Sequence, residues 1–294
     1  MKSQSFLFLV YLLYLCIAKT NGKDMKRHLL IIMCVLMSLT AASQQKIDAA
    51  CRAKYEKLYF TDSHSTVLPY RLLKPEKPEG DSSGMKYPVV LFLHGAGERG
   101  NDNEAHLMYI DTVFASEKFQ REHPCYVIAP QCAEDYRWCE TDWTLQYHTM
   151  PKEISKYLHA ANALLDSVAS LPDADTTRLY ITGLSMGGFG TWDLITRYPN
   201  KFAAAMPLCG GADEKEARRL VNIPIRAFHG GIDKVVPVCR SRNISKAINS
   251  QGGHLIEYIE FPKMGHFIWN RVYNDYSNLE WMFNQQIKNQ QINQ

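Results

Sequence analysis

No apolar stretch of this 294-residue chain is long enough to cross a bilayer as a helix. The longest, Phe6 to Ala18, has 13 residues and the next, Leu29 to Met37, has nine. A spanning helix needs about 18–20. The chain also lacks Cys-x-x-Cys and His-x-x-x-His spacings. Those are the usual frame of a zinc site, so no metal is expected. No Gly-Lys-Ser or Gly-Lys-Thr is present, which argues against a nucleotide P-loop. Internal repeats and low-complexity tracts are missing as well. Nor is there a basic surplus where a nucleic-acid protein would keep one. Residues 1–43 carry five Lys and Arg against a single acid, Asp24, and the remainder holds 28 basic and 29 acidic residues. A surface built to neutralise phosphates needs a positive excess, so no nucleic-acid partner is expected. At 46% hydrophobic and 21% charged, the chain is neither disordered nor fibrous.

The basic N-terminus has the layout of an export signal. Met25 is followed by Lys26, Arg27 and His28, then by the apolar run Leu29–Met37, then by the small residues Ala41, Ala42 and Ser43. That order is positive start, apolar core and cleavable small-residue end. Residues 25–43 are therefore expected to be a signal peptide, residues 1–24 an upstream extension, and residues 44–294 one catalytic domain. The product would be exported, periplasmic or secreted. It would touch a membrane only through an uncleaved N-terminal segment. Cys51 follows Asp48-Ala49-Ala50, a poor lipoprotein signal. An oxidising compartment permits disulfides. Cys132 and Cys139 are close enough along one loop to pair, but sequence does not choose among the possible pairings.

The rest of the chain alternates strands with helices. Val67 to Leu73 reads as an edge strand. Pro88–Leu93, Cys125–Ala129, Arg178–Thr182, Phe202–Leu208, Pro224–Phe228 and Leu255–Phe261 read as buried strands, because near-continuous apolar runs suit strands covered on both faces. Ile154, Tyr157, Leu158, Ala161, Leu164, Leu165 and Val168 keep one apolar helical stripe. Further helices are expected over Asp213–Leu220, Arg240–Ser250 and Tyr276–Ile287, and a scaffold helix within Asp102–Pro124. Such alternation implies an α/β fold: a mostly parallel central sheet with helices on both faces. Working groups then gather at the carboxyl ends of the strands.

Those ends carry a nucleophile's setting. Gly183-Leu184-Ser185-Met186-Gly187 follows a strand and precedes a helix. A serine on so tight a turn is backbone-strained, and glycines two before and two after relieve the crowding. Another strand runs into His94-Gly95-Ala96-Gly97-Glu98-Arg99-Gly100. The N–H of Ala96 or Gly97 and that of Met186 are candidate oxyanion donors. His94 is better placed to brace this loop than to act as a base, and Glu98 and Arg99 could pair within it. Asp233 lies just past a strand and His266 just past the last one, which gives the order serine, acid, histidine. Asp213 competes as the acid, but a helix cap explains it better. Trp138, Trp143 and Trp269 fall in loops near the strand ends, where rings could stack on a sugar or phenolic group or simply pack on the core.

Together, His94-Gly-Ala-Gly-Glu-Arg-Gly-Asn-Asp-Asn103, Gly183-Leu-Ser-Met-Gly-Gly188, His229-Gly-Gly-Ile-Asp-Lys-Val-Val-Pro237 and Gly265-His-Phe-Ile-Trp269 resemble the α/β-hydrolase superfamily. More narrowly they resemble bacterial carboxylesterases of the phospholipase/carboxylesterase type, related to feruloyl and acetyl-xylan esterases. The resemblance covers about residues 55–290. It implies an α/β-hydrolase fold, Ser185 as nucleophile, Asp233 as acid, His266 as base, Ala96 and Met186 as oxyanion donors, and no cofactor. Its expected partner is a small-molecule or oligosaccharide ester. A serine peptidase of the same fold and a non-catalytic binding module are the competing readings. Phe267 stands where many relatives carry a small or acidic residue, which bears on the acyl pocket.

Overall fold

Seven consecutive residues of one strand, Tyr87–Leu93, are buried, and the two faces of that strand enter different cores. Val89, Leu91 and Leu93 pack into one apolar cluster, Val90 and Phe92 into the other. Side chains alternate along a strand, so an unbroken apolar run is what a two-sided core demands. Fully burying each such side chain contributes about 1.5–3 kcal/mol. The computed structural model describes residues 48–76 and 84–287. The expected signal peptide and upstream extension lie outside those residues. Cys51–Gln294 clusters as one compact unit; of the unit Met1–Ala50 only residues 48–50 are described, and they are helical.

Eight strands form one sheet: β1 (Tyr55–Thr61), β2 (Val67–Leu73), β3 (Tyr87–Leu93), β4 (Tyr126–Pro130), β5 (Ala174–Leu184), β6 (Ala204–Leu208), β7 (Ile225–Gly230) and β8 (Ile256–Phe261). Their spatial order is β1-β2-β4-β3-β5-β6-β7-β8. The pairs β1–β2 and β2–β4 are antiparallel and the other five are parallel. The four longest α-helices among the described residues are α1 (Lys156–Ala169), α2 (Met186–Arg197), α3 (Cys239–Ser250) and α4 (Tyr276–Phe283). Leu158 and Leu165 of α1, Trp192 of α2 and Ile244 of α3 pack into the cluster on one face. Leu279 and Met282 of α4 pack into the other, beside Phe114 and Phe119. Helices therefore cover both faces of a mostly parallel sheet, the arrangement expected from the α/β-hydrolase resemblance.

Four local expectations change. Leu255–Phe261 is not a buried strand: β8 is the far edge of the sheet and none of its residues is buried. Val67–Leu73 is not the edge: β1 pairs along its whole length, Tyr55 opposite Leu73 and Thr61 opposite Val67. β1 is polar and half exposed on one side, so no apolar run announced it. Asp102–Pro124 is not one helix. It breaks into a turn of 3₁₀ helix (Ala105–Leu107) and two short helices, Asp111–Ala115 and Glu117–Glu122. Ser116 is extended between them, and its Oγ accepts from the Phe119 N–H. Serine competes for nearby backbone groups and so favours a cap over a helix interior. Finally, Glu214–Leu220 is 3₁₀ rather than α, although Asp213 caps it as expected.

Candidate active site

Ser185 sits between the last residue of β5 and the first of α2, with φ 54° and ψ −115°. A left-handed φ is costly for a residue with a side chain and persists only where the surroundings enforce it. Here the enforcing contacts are backbone ones. The Ser185 N–H donates to Leu208 O on β6 at 2.8 Å, and Ser185 O accepts from the Phe189 N–H at 3.0 Å. The flanking glycines are required by space. A Cβ on Gly187 would lie 1.9 Å from Leu93 O, and one on Gly183 would lie 2.4 Å from Gly187 O. The first turn of α2 therefore presses on the end of β3, where the loop His94–Gly100 begins.

That contact brings together two helix starts. Met186 opens α2, and Ala96 opens a turn of 3₁₀ helix (Ala96–Glu98). N–H groups in a first turn have no partner within the helix. The loop is held from behind. His94 Nδ1–H donates to Gly95 O at 2.6 Å, its Nε2 accepts the Cys132 N–H at 2.9 Å, and the Trp138 indole N–H donates to His94 O at 3.0 Å. His94 therefore braces the loop. Arg99 turns away from Glu98: its Nε donates to Ala96 O at 2.9 Å.

The other two residues arrive on neighbouring strand ends. Asp233 lies just beyond β7 and His266 just beyond β8. Their loops are tied by Gly231 N–H to Phe261 O at 2.8 Å and Ile232 N–H to Met264 O at 3.1 Å. His266 Nε2 is 2.8 Å from Ser185 Oγ, and His266 Nδ1 is 2.7 Å from Asp233 Oδ2. The other oxygen, Asp233 Oδ1, accepts the N–H groups of Val235 and Val236 at 2.8 and 2.9 Å. His229 Nε2 lies 3.2 Å from Asp233 Oδ2. Burial pushes the Asp233 carboxyl up, but the hydrogen bonds from His229, His266 and the Val236 N–H outweigh it and hold the group below the usual carboxylate range. Asp213 is elsewhere engaged: its Oδ1 accepts from Lys215 N–H and its Oδ2 from Met150 N–H, at 3.0 and 2.9 Å.

The three tryptophans do not converge. Trp138 is fully buried under the His94 loop and offers no surface to a ligand. Trp143 is half-buried, with the Arg137 guanidinium 4.5 Å from its ring centroid. Trp269 is buried with its ring edge-on to His266, centroids 5.1 Å apart. The exposed aromatic beside the histidine is Phe267, at 74% accessibility. Cys132 and Cys139 are separate buried thiols, not a disulfide.

Two residues here were not singled out from the sequence. His229 is fully buried, and its Nδ1 is 2.8 Å from Ser241 Oγ. Its only sequence signal is its place four residues before Asp233. Cys209 has φ 47°, and its Sγ lies 3.4 Å from His266 O. Nothing in the sequence marks a cysteine in that conformation.

Buried histidines under the loop contribute to the acid response. Burial pulls the His94 imidazole down to about 4 and that of His106 down to about 3. Both are neutral in the folded state, whereas an unfolded histidine takes a proton near pH 6.5. Their stabilisation is complete above that pH and is lost as pH falls towards 4. The slope is up to about 1.4 kcal/mol per pH unit for each. The urea midpoint should therefore fall between pH 7 and pH 4.5, and His106→Leu should flatten that fall.

With this geometry in place, comparison with known proteins is decisive for the family. The sequence model of the phospholipase/carboxylesterase family matches residues 81–279. The chain belongs to that family. Its fold is that of the α/β-hydrolases. A crystal structure of a thermostable esterase is 36% identical, with a TM-score of 0.72, over 81% of this chain and 64% of that one. An uncharacterized secreted protein of Arthroderma benhamiae is 26% identical over 73% of this chain and 24% of its own length. The bifunctional acetylxylan esterase/xylanase XynS20E of Neocallimastix patriciarum is 26% identical over 51% of this chain and 20% of its own. The chain thus spans about a quarter or less of the two larger proteins and under two thirds of the esterase.

Proposed function

We propose that the chain is an exported serine carboxylesterase acting on carbohydrate-linked acetyl or feruloyl esters, or on other small carboxylic esters. One observation carries the reading: Ser185 Oγ, the His266 imidazole and the Asp233 carboxylate stand in one hydrogen-bonded line, at 2.8 and 2.7 Å. In that line His266 Nε2 takes the serine proton as Oγ attacks the ester carbonyl, and Asp233 stabilises the imidazolium that forms. The N–H groups of Met186 and Ala96 receive the oxyanion, and each such donor is worth about 10²–10³ in rate. His266 then protonates the departing alcohol. A water activated by the same imidazole splits the acyl-enzyme, so no cofactor is needed.

The substrate class rests on two observations. Phe267 stands exposed beside His266, where a ring can flank an aromatic acyl group, and a relative is named for acetylxylan cleavage. Export rests on the layout of residues 25–43 and on a relative named as secreted. N-terminal sequencing of the exported protein should find the mature start at or just after Ser43. For the chemistry, the purified chain should label with a fluorophosphonate and release acetate or ferulate from model esters. A labelled enzyme that cleaves peptide amides and no ester would make it a peptidase. A folded chain that never labels would make it a binding module.

A further inference from the structure

A second cluster of reactive side chains lies well away from Ser185. It comprises Asp62 and His64 in the turn between β1 and β2, and His159 in the first turn of α1. Four strand positions separate β1 from β5, about 19 Å at 4.8 Å per strand. The Asp62 side chain is fully buried. Its Oδ1 accepts the N–H groups of His64 and Thr66 at 2.9 and 2.8 Å, and its Oδ2 accepts His159 Nδ1–H at 2.8 Å. The His64 and His159 rings stack face to face, with centroids 4.3 Å apart and planes 7° from parallel. One donor atom from each of the three residues falls within 4.8 Å of the others.

We propose that Asp62, His64 and His159 form a binding site for a divalent transition ion of the zinc type. Two imidazoles and one carboxylate are a donor set that suits zinc, and water completes a tetrahedron. The carboxylate is already fixed by backbone donors. His159 is anchored on a helix and partly buried, and His64 is exposed. The ion therefore has an open approach from solvent. In stacked rings the in-plane lone pairs run side by side, so closure requires the exposed His64 ring to swing over the ion. Tetrahedral zinc–ligand bonds of about 2.0–2.2 Å set neighbouring donors about 3.3–3.6 Å apart, so zinc held by Asp62 Oδ2 and His159 Nδ1 opens their 2.8 Å contact and displaces the Nδ1 proton to solvent. Because the ligating nitrogens must be unprotonated, zinc uptake releases protons and weakens on acidification.

The test is zinc binding by the tag-free full chain, measured by calorimetry at pH 7.5, with magnesium as the hard-ion control. Wild type should take up one zinc with micromolar affinity and gain thermal stability, and magnesium should do neither. His64→Ala removes only an exposed ring, so the variant should fold and keep its ester hydrolysis. Its zinc affinity should drop at least tenfold. Wild type that takes up no zinc overturns the proposal, as does His64→Ala that binds zinc as tightly as wild type. Cys209, Asp233 and His266 also place donor atoms within 4.8 Å of one another. Zinc bound there would survive His64→Ala and inhibit hydrolysis, which also counts against the proposal.

Discussion

Replacing Ser185 by alanine should lower kcat for ester cleavage by about 10⁵-fold or more, with fluorophosphonate labelling lost altogether. The size of the effect follows from the role proposed for the residue. Without Oγ there is no acyl-enzyme, and only oxyanion stabilisation and binding remain, a residue of about 10³–10⁴ over water. The fold should be untouched. Ser185 already places a Cβ at φ 54°, so alanine removes one atom and adds none. Its N–H still bonds Leu208 O and its carbonyl still accepts from Phe189. Far-UV dichroism and the urea midpoint should match wild type while turnover disappears. Turnover within tenfold of wild type would assign the nucleophile to another residue.

Asp233→Asn should cost about 10⁴ in kcat by the same logic. The loss comes from a tautomer rather than a missing contact. Asp233 Oδ2 accepts a hydrogen bond from His266 Nδ1–H, which leaves Nε2 bare towards Ser185 Oγ. An amide NH₂ at that place donates instead, so Nδ1 becomes the acceptor and Nε2 keeps its hydrogen. The imidazole then cannot take the serine proton. Asp213→Asn is the control. Its carboxylate caps residues 214–220 and holds the Met150 N–H, so the variant should lose about 1 kcal/mol of stability and at most a few-fold in rate. Single-turnover assays alongside urea melts of both variants separate the two roles. If Asp213→Asn were the crippled variant, the acid would have to be reassigned.

Much of this site was legible because each part is a local device. A serine between glycines two residues away on each side, after an apolar strand and before a helix, has few physical uses. The glycines at 183 and 187 are dictated by backbone oxygens 2.4 and 1.9 Å from where a Cβ would stand. Position just past a strand was enough to nominate Asp233 and His266. It could not supply their separation, which depends on the ties between residues 231–232 and 261–264. His229 opens the motif His229–Pro237, but it carried no role there because a buried histidine beside a carboxylate has no sequence pattern of its own. Trp138 stayed open between substrate and core because a loop position says nothing about the direction of a ring, and the ring is buried under the His94 loop.

The sequence by itself determined the order of strands and helices, their burial on two faces and the tight serine turn. Each of these depends on spacing over a few residues: unbroken apolar runs, a helical stripe, glycines at fixed offsets. Tertiary structure alone decided that polar β1 would close the sheet edge. It alone decided that six described cysteines would stay apart as thiols, and that Asp62, His64 and His159 would meet. These outcomes depend on partners tens of residues away, whose approach is set by packing across the sheet.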